Sequence, residues 1–197
     1  MQSTPSWLNN HLLIAMPGMQ DPSFAHTLTY ICQHSAEGAM GLVVNRSAHL
    51  QLADVLEQLG ISIDDRRVLD RVQVFAGGPV QPDRGFVLHT PLPPRENSTP
   101  LDSTVQLTEA LSLTTSRDVL PMLADAEHGP SRALLALGYA GWGAGQLEQE
   151  LRENAWLTIA VDDLAILFDH PAEERWQLAV GKLGIDPAHL SWQSGHA

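Results

Sequence analysis

The chain has 197 residues, 44% of them hydrophobic, so a single domain can bury a core without disulfides or metal ions. Its formal net charge of -12 at pH 7 disfavours direct nucleic-acid binding, which depends on lysine and arginine displacing counterions from phosphates. Cys32 is the single cysteine, which excludes an internal disulfide and fits a reducing compartment. No signal-peptide pattern or membrane-spanning apolar run is recognised, so we expect a cytoplasmic protein without a membrane segment.

The first half of the chain predicts a strand-rich region with one helix. Leu52, Val55, Leu56 and Leu59 repeat at helical spacing, and Gly60 ends that helix. Apolar, β-branched and aromatic runs predict the strands, two of which are joined too closely for a parallel crossover. The predicted strands cover residues 12–16, 27–33, 40–44, 72–75 and 85–89.

Outside these elements, the sequence predicts a flexible N-terminus, a surface loop and two further helices. We expect residues 1–7 to form a flexible N-terminus and residues 91–102, rich in proline, serine and charge, to form a surface loop. A helix is predicted after Ser116 or Asp118, either of which can cap it, and Pro121 favours the later start because it then falls in the first turn. The last helix is predicted from Pro171 to Gly184, with an apolar face.

A glycine-rich segment, residues 138–145, follows the buried strand predicted at 134–137. Four glycines in eight residues mark either a sharp turn or a close approach of the backbone to a ligand. We favour a tight strand-to-helix turn, because neither the phosphate-loop nor the dinucleotide spacing is present. The alternative is a ligand loop, in which Trp142 is a stacking platform. Its candidate residues are Tyr139, Gly141, Trp142 and Gly143.

Eight segments of the sequence together resemble the bacterial YqgE/AlgH family, over nearly the whole chain. The resemblance implies one α+β domain, residues 1–197, with a mixed, largely antiparallel bent sheet that forms a pseudo-barrel with flanking helices. It also implies a cytosolic bacterial protein. Members are mostly uncharacterised, with a transcriptional-regulator label on the AlgH branch, and no catalytic residues can be carried over. The matching segments are residues 13–19, 30–34, 38–46, 77–80, 84–89, 114–120, 138–148 and 154–156.

Three arginines at the ends of predicted elements suggest an anion pocket. Arg46, Arg84 and Arg117 each offer a planar guanidinium that can bind a carboxylate or phosphate. Thr115 and Ser116, beside a predicted helix start, add hydroxyl donors. The competing interpretation is that acids such as Asp83 and Asp118 pair with the arginines as structural ties.

Cys32 and His34 lie two residues apart in a predicted strand and are expected to share one face. A nearby imidazolium can lower the pKa of a thiol and produce a redox-active cysteine, although a lone cysteine in a strand is more often a core residue. The nine histidines and one cysteine give no metal signature, and no cofactor motif is recognised.

The sequence therefore favours a non-enzymatic binding or regulatory protein that acts through a small anionic ligand or a protein partner. The alternative is an enzyme of hydrolase or thiol-redox type that uses the arginines or Cys32.

Overall fold

The computed structural model describes residues 7–61, 70–93, 101–125, 127–186 and 190. The chain clusters into two compact units, the first formed by Met1–Asn45 with Ala140–Ala197 and the second by Arg46–Tyr139. The expectation of a single domain stays a prediction, and each unit is described by itself.

Nine strands and five α-helices, numbered here in chain order, lie within the described ranges. The strands are β1 His11–Ala15, β2 Leu28–Ser35, β3 Gly38–Val43, β4 Gln73–Ala76, β5 Val80–His89, β6 Thr104–Thr108, β7 Leu111–Thr114, β8 Ala133–Gly143 and β9 Trp156–Ala160. The helices are α1 Leu52–Gln58, α2 Leu120–Leu123, α3 Gln146–Arg152, α4 Ala165–Phe168 and α5 Ala172–Lys182, and a 3₁₀ turn, Arg117–Val119, precedes α2.

The sheet of the first unit has the strand order β9-β1-β2-β3-β8, to which β8 contributes its last residues, and every pair is antiparallel. The predicted strands 12–16, 27–33 and 40–44 are confirmed as β1, β2 and β3, with shifts of one or two residues at their ends. A β-bulge at Cys32 interrupts the pairing of β2 with β3. Helix α5 begins after Pro171, and Gly184 follows its end with a positive φ, as its sequence predicts.

The sheet of the second unit has the order β6-β7-β5-β8-β4, and only the pairing of β4 with β8 is parallel. Helices α1 and α2 cover one face of it, where Leu56, Leu120 and Leu123 pack with Val87 and Leu135 of the strands. The period-two alternation of β8 turns Leu135 and Leu137 towards the same face. The helix predicted at residues 52–59 is confirmed as α1.

The glycine-rich segment is not the turn that the sequence favours. Strand β8 continues through Gly143, and the turn is confined to Ala144 and Gly145 before α3. The backbone pairs of Gly141 and Gly143 with β3 keep this part extended. A positive φ of 74° at Gly138 marks an irregularity within the strand, where the pairing register with β5 shifts.

The sequence also gave no indication of β6 and β7, which form an edge hairpin after the predicted loop. Residues 91–93 and 101–102 of that loop contain no helix or strand, and residues 94–100 lie outside the described ranges. Residues 1–6 of the expected flexible terminus lie outside as well, whereas the ring of Trp7 packs edge-on against His34. The α+β class and the largely antiparallel sheet are confirmed.

Candidate functional site

The second unit contains a cavity of about 700 Å³, which is within the size range of small-molecule sites, roughly 300–1,000 Å³. It lies where the first half of β5, residues 81–84, leaves the pairing with β8 before rejoining it at Gly85. Helix α1 forms one wall, and the segment between β7 and α2 forms another. The cavity is therefore lined by three segments: the part of β5 that is not paired with β8, helix α1, and the turn between β7 and α2. Side chains from all three converge there.

Four of the five residues predicted for the anion pocket line this cavity: Arg84, Thr115, Ser116 and Arg117. The strand register explains the convergence. Strand β7 is antiparallel to β5 and its Thr114 opposes Val87, so the chain beyond Thr114 runs back towards the start of β5 and Arg84. That these residues bind an anion stays a prediction.

Arg46 is not among the residues that line the cavity. Its carbonyl accepts a hydrogen bond from the N–H of Ala76, which places Arg46 beside β4. Strands β4 and β5 pair with opposite edges of β8. The backbone of Arg46, beside β4, therefore lies on the other side of β8 from the backbone of Arg84. The predicted arginine triad is thus a pair.

The guanidinium groups of Arg84 and Arg117 are not held by the acids that the competing interpretation names. Arg84 donates a hydrogen bond to the Gln81 side chain, 3.3 Å away, and its guanidinium lies 5.4 Å from the centre of the Phe86 ring. In the part of the chain that the structure describes, neither arginine has a carboxylate within ion-pair distance. Both side chains are exposed, so both are open to a ligand.

Asp118 instead contacts Ser116. The Ser116 hydroxyl lies against the Asp118 carboxylate and the carbonyl of Asp102, and the second carboxylate oxygen of Asp118 accepts the N–H of Asp102, 3.0 Å away. The Ser116 bond lowers the pKa of Asp118. A hydroxyl carries one proton, so Ser116 cannot donate to a ligand while it donates to these oxygens. Thr115 and the two arginines are the better donors.

Sequence reasoning missed most of the cavity's apolar lining. Val55 and Leu59 of α1, Leu120 of α2, and Leu135 and Leu137 of β8 all contribute to it. Each is part of a pattern typical of a core helix or strand, so the sequence gives no signal that part of its surface faces a cavity. Gln58 and Gln81 also line the cavity and were missed, whereas Asp83, which the sequence analysis names only as a possible ion-pair partner of the arginines, lines the cavity too.

His89, at the end of β5, is buried, and both of its ring nitrogens are hydrogen-bonded within the second unit. Its Nδ1–H donates to the Thr90 carbonyl at 2.8 Å, so Nε2 accepts the Thr114 hydroxyl at 2.9 Å. Thr114 lies 2.7 Å from the Thr104 hydroxyl, which completes a cross-strand chain of hydrogen bonds. Burial lowers the pKa of His89, an effect that the bond to the Thr90 carbonyl partly opposes.

The neutral state of His89 predicts a loss of stability in acid. When the pH falls below about 6.5, His89 takes a proton in the unfolded chain before it does in the folded protein, so the free energy of unfolding decreases. Urea unfolding between pH 7.5 and 5 is expected to show a flatter profile for His89→Gln than for the wild type. The matched control, His11→Gln, is expected to keep the wild-type slope, and an unchanged slope in His89→Gln would contradict the assignment.

Trp142, the candidate stacking platform of the first unit, is buried and its ring is already occupied. Phe24 stacks on it with a centroid separation of 6.0 Å. Its indole N–H and that of Trp156 both donate to the same oxygen of Glu150, at 2.9 and 2.8 Å. This carboxylate therefore ties two core tryptophans together, and these contacts disfavour a role for Trp142 as a stacking platform.

The other candidates of the glycine-rich segment also have structural roles. Tyr139 packs its ring edge-on against Phe86. Gly141 and Gly143 belong to β8, and the N–H of Gly143 donates to the Gln146 side chain at the start of α3. Because residues 138–143 belong to a paired strand, the structure favours a structural role for them over an open ligand loop.

Cys32 is buried in the first unit, and burial raises the pKa of its thiol. Its sulfur contacts the Tyr30 carbonyl at 4.0 Å. The His34 ring accepts the N–H of Leu8 at Nδ1, 3.0 Å away, and its Nε2 lies 3.2 Å from a Glu148 oxygen, so both nitrogens are engaged elsewhere. The raised pKa disfavours the thiolate that the redox alternative requires.

In the described ranges no three histidine, cysteine, aspartate or glutamate side chains are grouped so that they could hold a metal ion. No described helix has the length and apolar character needed to cross a membrane.

The fold and the sequence place the chain among known proteins. The AlgH-like family, DUF179, matches residues 12–188, and the chain belongs to this family. A UPF0301 protein of Methylococcus capsulatus is 48% identical over 196 residues, which cover the whole of both chains. The solution structure of the AlgH protein from Pseudomonas aeruginosa covers all of both chains at 50% identity with a TM-score of 0.74. A crystal structure of a Corynebacterium diphtheriae protein, 18% identical, covers 92% of this chain and 90% of its own with a TM-score of 0.65, and shares the fold.

Proposed function

We propose that this AlgH-like protein is a cytoplasmic, non-enzymatic binding or regulatory protein that takes a small anionic ligand into the cavity of its second unit. One observation carries the proposal. Among the described residues that line the cavity, the charged ones are Arg84, Arg117 and Asp83, two cations and one anion, in a protein whose formal net charge is -12. A local positive site on an acidic protein attracts small anions.

The surroundings of the two guanidiniums support the proposal. Neither is neutralised by a carboxylate in the described chain, and Thr115 adds a hydroxyl at the same wall of the cavity. Arginine binds carboxylates and phosphates through two parallel hydrogen bonds. The negative charge of the whole chain favours regulation through a ligand or a protein partner over direct contact with an operator.

Native mass spectrometry of gently purified protein tests the proposal. The wild type is expected to retain a small anion that is released on denaturation. Arg84→Gln and Arg117→Gln are each expected to weaken retention by about tenfold to a hundredfold, the cost of losing a charge-assisted hydrogen bond. Arg152→Gln, an exposed arginine that does not line the cavity, is the matched control and is expected to retain the ligand.

Circular dichroism and urea unfolding of each variant establish that it is folded. Retention of the same anion by the Arg84→Gln/Arg117→Gln double variant would contradict the proposal. Sequence-selective DNA binding by the pure protein at physiological salt would contradict a different part of the proposal, that regulation does not proceed through direct contact with an operator.

A further inference from the structure

The chemistry of the cavity lining specifies the ligand more closely than its charge alone. This inference rests on the proposed function and concerns the same cavity. The two ends of the cavity differ in character, and the strand register shows how they are arranged.

The polar end lies where β5 rejoins the sheet. Arg84 directly precedes Gly85, which opposes Leu137 of β8, and the segment of Thr115 and Arg117 runs towards this point from β7. Both guanidiniums therefore belong to the end of the cavity at which β5 begins to pair. An anionic group is expected to bind there.

The apolar part extends along the sheet from that end. Val87 opposes Leu135 two residues further along β5, a distance of about 7 Å in a strand. Leu120 and Val55 belong to the same hydrophobic cluster as Val87 and Leu135, and Leu59 of α1 also lines the cavity. A small inorganic anion at the arginines would leave these apolar side chains without a contact, whereas an apolar chain or ring of the ligand would cover them.

The balance of charge distinguishes between anions. Within the described part of the lining, two arginines and Asp83 give a formal charge of +1, which matches a monoanion. A carboxylate carries one negative charge at pH 7, whereas a phosphate monoester carries about 1.5 to 2. The planar carboxylate also fits the fork of a guanidinium.

We propose that the ligand is an amphipathic monocarboxylate, with its carboxylate between Arg84 and Arg117 and its apolar chain or ring along Leu135 and Leu137. The cavity volume of about 700 Å³ accommodates an organic acid of this kind. No bond is formed or broken, so the site is a binding site.

Isothermal titration calorimetry with four probes tests the chemistry: octanoate, acetate, 1-octanol and octyl phosphate, each below its aggregation concentration. Octanoate is expected to bind at least tenfold more tightly than acetate, because each buried methylene contributes about fourfold. It is also expected to bind at least tenfold more tightly than 1-octanol, which has no charge, and more tightly than octyl phosphate.

Two variants separate the head of the ligand from its tail. Arg117→Gln is expected to weaken octanoate binding by about tenfold or more. Leu59→Ser, at a side chain that is already 37% exposed and so is not required for folding, is expected to weaken octanoate binding several-fold and to leave acetate binding unchanged. Leu137→Asn is a second tail variant, at a partly buried position of β8.

Failure of this inference is distinguishable from failure of the proposed function. Three outcomes would each overturn the proposal of an amphipathic monocarboxylate. They are equal affinities for octanoate and acetate, tighter binding of octyl phosphate than of octanoate, and binding of 1-octanol that is as tight as that of octanoate. Retention of another anion by the wild type, lost in the double arginine variant, would then leave the proposed function intact. Absence of any retained or added anion from the wild type would overturn both.

Discussion

Replacement of Arg175 by alanine is expected to lower the free energy of unfolding by about 3–5 kcal/mol. This residue of α5 is fully buried in the first unit. Its Nη1–H donates to the Val44 carbonyl at 2.6 Å and its Nε–H to the His170 carbonyl at 2.9 Å. Alanine would leave both carbonyls without this donor and create a cavity of the size of a long side chain.

The charge of Arg175 is retained in the protein despite its burial. Burial lowers the pKa of its guanidinium to about 10, and the carboxylates of Asp169 and Glu173 oppose that shift. The group is therefore a cation at neutral pH. Its role is to join the start of α5 to the carbonyl that follows β3, which the pattern of an amphipathic helix does not reveal.

Urea unfolding followed by circular dichroism provides the measurement for Arg175. Arg175→Lys keeps the charge but has one compact ammonium group in place of the planar guanidinium. We therefore expect it to lower the free energy of unfolding by less than Arg175→Ala does, but measurably. Gln177→Ala, at an exposed position of the same helix, is the matched control and is expected to change the free energy of unfolding by less than about 0.5 kcal/mol. A loss below about 1 kcal/mol in Arg175→Ala would show that the two bonds are not important to stability.

Gly138→Ala is expected to cost about 3–5 kcal/mol, through its backbone and through its neighbours. Gly138 has a φ of 74°, a left-handed conformation that an alanine adopts only with strain. An added Cβ would lie 2.5 Å from the Gly78 carbonyl oxygen and 3.0 Å from that of Val80. These are backbone atoms of the connection between β4 and β5, which cannot move without disturbing the pairing of both strands with β8.

Gly145 supplies a matched control for this substitution. It has the same φ of 74°, but an added Cβ would have no heavy atom within 4 Å. Gly145→Ala is therefore expected to cost only the conformational part, about 1–2 kcal/mol. Thermal and urea unfolding of the two variants measure the difference, and equal losses would show that the close approach at Gly138 is relaxed without cost.

The elements that were predicted from sequence are those with a strong local signal. The i, i+3, i+4 spacing of Leu52, Val55 and Leu56 and the boundaries Pro171 and Gly184 identify α1 and α5 without any tertiary information. The extent of β8 was mistaken because glycines are poor strand formers, and only the pairing of β8 with its neighbours keeps Gly141 and Gly143 extended.

The candidate site was predicted only in part, for a similar reason. Arginines beside glycine and hydroxyl residues at element ends are visible in the sequence, and Arg84 and Arg117 do line one cavity. The exclusion of Arg46 depends on which edge of β8 each neighbouring strand occupies, and strand order is not a local property. The apolar lining was not recognised because Leu135 and Leu137 are indistinguishable from ordinary core residues until the register is known.

The central claim is that Arg84 and Arg117 hold an anion in the cavity of the second unit. Native mass spectrometry tests it most directly, by comparing the gently purified wild type with the Arg84→Gln/Arg117→Gln variant. We expect a wild-type species heavier than the bare chain by the mass of one small anion, and a variant at the mass of the bare chain alone. Identical spectra for the two folded proteins, whether both loaded or both bare, would contradict the claim.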